Sequence, residues 1–163
     1  MKTIGITLKN YENFFSNGLK QNAIFLYKLL SKIEDYNVYF IFEKDQENLP
    51  EGYKQVIYSV AIEYKFDLIL EIDYWIPLKY RRIFWNHGSK IVGIIYGNRY
   101  NYDLEATVYN HIDEESNITE RKGMIHEIWI SPHFKYSKDY YESMYNVPVR
   151  VCPYIWGPDF IDE

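Results

Sequence analysis

Disulfide bonding is excluded at the outset, because Cys152 is the only cysteine in 163 residues. A lone thiol builds neither a disulfide framework nor a cysteine-based zinc site, and this suits a reducing compartment. No apolar run approaches the length needed to cross a bilayer. The N-terminal MKTIGITLKN has no long apolar core and no small-residue cleavage site, so it reads as a first strand and not as a signal peptide. A cytoplasmic protein is therefore expected, and the sequon Asn117-Ile118-Thr119 carries no meaning without secretion. Basic charge is also scarce. Lys and Arg number 18 against 23 Asp and Glu, and the net charge of −5 argues against a nucleic-acid surface.

The signature motifs of several chemistries are missing as well. There is no G-x-G-x-x-G after the first strand and no G-x-x-x-x-G-K-[ST], which disfavours a tight dinucleotide or P-loop phosphate site. His126-Glu127 does not continue to H-E-x-x-H, and no G-x-S-x-G elbow occurs. The four histidines, His87, His111, His126 and His133, show no ligand spacing with one another, so no metal is expected. No internal repeat, low-complexity tract or interior linker divides the chain.

What is present suffices for one domain. Hydrophobic residues make up 47%, enough for a sizeable core. The 18 tyrosines are compatible with stacking on sugars or bases, although most are expected to line core edges. Apolar strands and helices alternate along the chain. Lys2 to Leu8 reads as a strand, and Asn13 to Ile33 as a long helix. In that helix Leu19, Ala23, Leu26, Leu30 and Ile33 form one stripe, and Ser16 or Asn17 is suited to cap its start. Asn37 to Glu43 is a second strand, followed by a polar loop from Lys44 to Tyr53. Val56 to Val60 is a short strand, and Ala61 to Lys65 a helical turn. Phe66 to Asp73 is a strongly apolar strand. Ile76 to His87 is helical, with Pro77 in its first turn and Gly88 at its end. Lys90 to Tyr96, His126 to Ile130 and Val147 to Pro153 are further strands, with a helix from Ser131-Pro132 to about Tyr145. The polar segment from Arg99 to Arg121 has room for a helix around Leu104 to Tyr109. This alternation predicts an α/β, Rossmann-like three-layer sandwich with a mainly parallel sheet covered on both faces.

In such sheets ligands bind beyond the carboxyl ends of the strands, and several residues fall there. Asn22 lies within the apolar stripe of the first helix, so it either ties down the preceding loop or faces a ligand crevice. Glu71 and Asp73 end a buried strand on one face. A carboxylate there serves as a base or sugar-hydroxyl acceptor, or else caps a helix or pairs with Arg81 or Arg82. For Asp73 the structural role is favoured. Glu105, with Tyr96, Gly97, Asn98, Tyr100, Asn101 and Tyr102, forms a group suited to a polyhydroxylated ligand or, more simply, a solvated loop. The closing stretch bears Pro153, Tyr154, Trp156, Pro158 and Phe160, whose apolar surface must be covered by this domain or by another.

SNGLKQNAIFLYKLL, LILEID, GNRYNYDLEATVY, HEIWISP and VCPYIWGPDFID together resemble the N-terminal half of the DUF2827 family, whose members resemble GT-B glycosyltransferases. The resemblance covers nearly the whole chain. It implies that residues 1–153 form a Rossmann-like, acceptor-side domain and that residues 154–163 begin a crossover to a C-terminal domain absent from this chain. It implies transfer of a sugar from a nucleotide-sugar donor to a glycan or other hydroxyl acceptor, with no cofactor and no bound metal. By position Asn17, Gly18, Gln21 and Asn22 would border the cleft near the donor phosphates or transferred sugar. Gly97, Asn98, Tyr100 and Trp156 join them as substrate-binding residues. Glu71 and Glu105 match acidic positions and are the catalytic candidates, for a base or for acceptor binding. Ile72-Asp73 departs from the smaller residues expected after the glutamate. The alternatives are a non-catalytic carbohydrate- or nucleotide-binding module and a partner-binding domain that docks through its aromatic tail.

Overall fold

Each short run of β-branched and aromatic residues forms a strand that pairs with its neighbours in one direction. The computed structural model describes residues 1–12, 18–72, 75–96 and 122–153. Strand β1 is Lys2–Thr7 and leads to helix α1, Gly18–Ser31. Strand β2 is Tyr36–Phe42, and β3, Gln55–Ile57, passes directly into the one-turn α2, Tyr58–Ala61. Then follow β4 (Leu68–Glu71), α3 (Leu78–Asn86), β5 (Lys90–Ile95) and β6 (Glu127–Ile130). A 3-10 segment, Pro132–Ser137, leads to α4 (Lys138–Tyr145) and β7 (Val149–Val151).

The strands lie in the order β3-β2-β1-β4-β5-β6-β7, and every pairing is parallel. This is the Rossmann-like sheet expected from the sequence. The order reverses between β1 and β4, which makes that junction the topological switch point. Strand alternation divides the core. Ile4 and Ile6 of β1, Val38, Phe40 and Phe42 of β2, and Leu70, Val92 and Ile94 pack beneath Ala23, Ile24 and Tyr27 of α1. On the opposite face Ile41, Ile69 and Ile91 meet Val56, Tyr58, Phe66 and Phe84. Ile128, Ile130 and Val149 continue the sheet beneath Tyr141 and Tyr145 of α4. Gly5 sits where this packing is tightest. A Cβ there would stand 2.5 Å from Ile41 Cδ1 and 3.1 Å from Phe66 Cε1.

Several details differ from the sequence expectation. The buried face of α1 includes Ala23 and Leu26 of the expected stripe, with Leu30 packed at its edge, but it is broader and also takes in Lys20, Ile24, Phe25 and Tyr27. The helix stops at Ser31, because the amides of Lys32 and Ile33 bond three residues back and tighten the last turn, so Ile33 falls outside it, 43% exposed. Strand β3 ends at Ile57 rather than Val60. Tyr58 turns inward to stack on Tyr80, with ring centroids 5.4 Å apart, and starts α2. The helix expected from Ser131-Pro132 opens instead as a 3-10 segment that is kinked internally at Phe134 (φ −113°, ψ 21°), and α4 begins only at Lys138. At the end of α3 the turn chemistry is as expected. Gly88 (φ +81°) follows it, with the Gly88 and Ser89 amides bonded back to Trp85 and Phe84. At its start Pro77, expected inside the first turn, stands immediately before the first helical residue, because α3 begins at Leu78 and not at Ile76. The expected helix around 104–109, the Ser16 or Asn17 cap and Asp73 lie outside the described residues.

Two groups with shifted pKa values stand at the amino edge of the sheet. His126 accepts a hydrogen bond at Nδ1 from the Ile91 amide (3.0 Å), and its ring stacks on Trp85 at 4.2 Å. Burial, and secondly the charge of Lys90, lower its pKa from the ordinary imidazole value of 6.5. Burial alone would raise the pKa of Glu127. Hydrogen bonds from Trp129 (2.7 Å) and Arg150 (2.5 Å), with the charges of Arg150 and Lys90, outweigh burial and lower it. Both groups therefore favour the fold in their deprotonated forms. Their stabilisation is complete above the unfolded-state values and is lost as pH falls through the folded ones. The melting temperature is expected to drop as pH is lowered below about 6.5, with a second loss in the carboxylate range. His126→Asn, which keeps an acceptor for the Ile91 amide, should flatten the first drop in a pH series of thermal melts. An unchanged slope would remove His126 as its source.

Candidate binding site

The carboxyl ends of β1 and β2 are neighbours in the sheet, so the loops that leave them face each other. Residues 9–12 and 43–48 line a cleft of about 460 Å³ between these loops. Its walls are tied together. The Leu8 amide donates to Ile41 O (3.1 Å), and the Tyr11 amide donates to Gln46 Oε1 (3.0 Å). The Gln46 amide in turn donates to Gln55 Oε1 (2.8 Å), and Gln55 Nε2 returns a bond to Gln46 O (2.9 Å). On the other wall Asn10 Oδ1 accepts from the Glu12 amide (3.1 Å) and from Lys20 Nζ, which also donates to Glu12 O (2.7 Å). Lys20 is only 6% exposed, and its two bonds hold residues 10–12 onto the first turn of α1. The lining combines amides and a tyrosine with four carboxylates and two lysines. Such groups accept from and donate to hydroxyls, and the size suits a small ligand.

Glu71 lies across the sheet from α1. It ends β4, 5% exposed, beside Thr7 of β1 in register and facing α3. Its Oε2 accepts from the Ile76 amide (2.6 Å) and from Arg81 Nη2. Arg81 is completely buried. Its Nη1 donates to Met124 O (3.0 Å), and its guanidinium lies 5.7 Å from the Trp75 ring centre. Among the described residues Glu71 Oε1 and Arg81 Nε have no hydrogen-bond partner, and Oε2 carries the pairing. The pair ties the end of β4 to the start of α3 and to the segment before β6. Beside it the Ile72 amide donates to Thr7 Oγ1 (3.2 Å), closing β1 against β4 at the switch point.

Among the other sequence candidates, Gly18 opens α1 and is exposed, with no atom within 4 Å of where a Cβ would stand. Gln21 and Asn22 are half-buried on the next turn, and Asn22 Nδ2 donates back to Gly18 O (2.9 Å). These three are therefore grouped at the start of α1, and the Glu71 side chain is on the opposite face of the sheet. Asn17, Gly97, Asn98, Tyr100, Glu105 and Trp156 lie outside the described residues. The sequence reading passed over the cleft itself and the buried Lys20. A signal for the cleft was available: adjacent parallel strands must bring their following loops together, and both loops are polar. Lys20 gave none, because a lysine in an apolar helix face reads as solvent-facing.

Among the described residues no group of three or more His, Cys, Asp or Glu is placed to hold a metal ion, and no helix is long and apolar enough to cross a membrane. The family described as Protein of unknown function (DUF2827) matches residues 3–163. No curated protein matches the chain in sequence. Among solved structures, homoserine dehydrogenase of S. aureus is similar over 94% of this chain, at 10% identity and a TM-score of 0.39. The match covers 34% of that protein, so the chain spans about a third of its length. An AraC family transcriptional regulator from Pseudomonas putida is similar over 93% of this chain and 75% of its own, at 11% identity and a TM-score of 0.38. Likeness at this level carries no functional argument.

Proposed function

The chain belongs to the DUF2827 family, and from that premise we propose that it is the acceptor-side domain of a glycosyltransferase. It would act with a second Rossmann-like domain that holds most of a nucleotide-sugar donor. The observation that carries this reading is the braced polar cleft at the carboxyl edge of an all-parallel sheet. Its amides and carboxylates suit the hydroxyls of a sugar or another polyol, and its walls are fixed before any ligand arrives. Preorganisation of that kind lowers the cost of binding and supplies rate by positioning. In this reading Gly18, Gln21 and Asn22 border the donor, together with Asn17, Gly97, Asn98, Tyr100 and Trp156. Glu105 is the candidate for the acceptor proton. Glu71, already bound through Oε2 by Arg81 and the Ile76 amide, ties the end of β4 to the start of α3.

Amide NMR of the 163-residue protein, titrated with simple sugars and with nucleotide sugars, tests the binding half of the proposal. Sugars are expected to shift the Tyr11 and Gln46 amides. Silence with every sugar would favour a partner-binding domain instead. The catalytic half requires a native gene product of roughly twice 19.8 kDa that forms a glycosylated product detectable by mass spectrometry. Sugar binding without product across the donors tried would favour a non-catalytic binding module.

A further inference from the structure

We propose that His126 is a proton-operated latch on the amino end of the β5–β6 pair: the neutral ring holds that end closed, and the protonated ring releases it while the rest of the sheet stays folded. The latch stands opposite the cleft, and its action does not depend on what the cleft binds. Residue 126 is bound to Ile91 twice. Its amide donates to Ile91 O (2.9 Å), and its Nδ1 accepts from the Ile91 amide (3.0 Å). In a parallel ladder, a residue whose carbonyl accepts from residue 126 donates its own amide to the carbonyl of residue 124. That carbonyl, Met124 O, is taken here by Arg81 Nη1 (3.0 Å). The imidazole therefore stands in for the backbone acceptor and forms the last rung of the ladder.

A rung of this kind exists in one protonation state only. An imidazolium has two N–H donors and no acceptor, so it meets the Ile91 amide donor to donor. Ile91 is completely buried, and water reaches its amide only if the strand end opens. The groups around the ring do not hold a proton on it. Lys90 of β5 bears like charge and, with burial, lowers the pKa. From α3 the ring meets the Trp85 indole at 4.2 Å. That face attracts an imidazolium as well as an imidazole, but it supplies no acceptor for the Ile91 amide. His87, just past the end of α3, is exposed. Glu127 lies on the other face of the sheet, bound by Trp129 and Arg150. Asp67, before β4, is turned to β1, where it accepts from the Thr3 amide (2.9 Å). Beyond the latch β5 and β6 stay paired from Val92–Glu127 to Ile95–Ile130, so the opening stops at residue 126.

The test is amide hydrogen exchange in the 163-residue protein between about pH 7.5 and about pH 5, with the ring nitrogens of His126 followed by NMR over the same range. An open-state imidazole with the ordinary value of 6.5 makes opening about ten- to thirty-fold easier at the lower pH. Corrected for intrinsic rates, protection of the Ile91 amide is expected to fall by about that factor as His126 gains its proton. Protection of the Ile69 amide, at the centre of the sheet, should stay constant. In His126→Asn, whose carboxamide oxygen accepts at every pH, Ile91 protection should not follow pH. Three results in the native protein overturn the latch: Ile91 protection that holds while His126 titrates, a ring that takes no proton down to about pH 5, and equal losses at Ile91 and Ile69, which mean global unfolding. A pH dependence at Ile91 that survives in His126→Asn belongs to another group and overturns it too.

Discussion

Arg81→Met is expected to destabilise the protein by about 3–5 kcal/mol, the usual result of removing one partner from a desolvated ion pair. Glu71 is 5% exposed, and without Arg81 its carboxylate keeps only the Ile76 amide as a donor. Water cannot reach it freely to replace the guanidinium. Glu71→Met should cost a comparable amount for the complementary reason, because Arg81 would stay fully buried with only Met124 O accepting from it. Joining both changes should restore most of the loss, since well-packed apolar replacements of a buried pair are often neutral. What remains is the loss of partners for the Ile76 amide and Met124 O, about 1 kcal/mol each. Denaturant melts of the two single variants and the double variant measure the coupling directly. Additive losses would show that the two residues do not act as the buried pair described above.

Phe40→Ala is expected to cost about 3–5 kcal/mol as well, and to disturb the cleft. Phe40 is completely buried on β2, and its ring stacks on Tyr27 of α1, with centroids 4.5 Å apart and planes at 26°. It also meets Tyr53, 5.7 Å away, at the far end of the loop that forms one cleft wall. Tyr27 itself meets Tyr53 at 5.0 Å and accepts from the Lys54 amide at its hydroxyl (2.9 Å). Burial raises the pKa of that hydroxyl, which stays protonated. Removing the Phe40 ring thus empties a cavity and also releases the lower anchor of residues 43–54. Phe40→Leu keeps most of the volume and should cost much less. Against a total stability of about 5–15 kcal/mol, the alanine variant should remain folded at low temperature but melt far earlier. Its sugar-induced shifts at Gln46 should weaken more than those of Phe40→Leu. Equal cleft binding in both variants would mean that Tyr53 does not anchor the wall.

The sequence by itself determined the layers of this protein. Runs such as LILE and KIVGII are apolar on both faces, which only a sheet covered on both sides accommodates. Gly88 and Pro77 marked the ends of α3, because backbone freedom and its restriction are properties of single residues. Spacing also made Glu71 and Arg81 possible partners, ten residues apart, but Arg82 was equally near in sequence. The register of α3 against the sheet decided between them: it turned Arg81 inward to full burial and left Arg82 half-exposed. The breadth of the buried side of α1 was decided the same way. Ala23 and Leu26 go in as their spacing requires, and packing on the sheet buries Ile24, Tyr27 and Lys20 beside them. The cleft is the clearest case. Tyr11 and Gln46 are 35 residues apart, and Arg81 and Met124 are 43 apart. Hydrophobic period and turn chemistry act over a few residues and are written locally. Which loops meet depends on which strands are neighbours, and that is settled only when the whole sheet assembles.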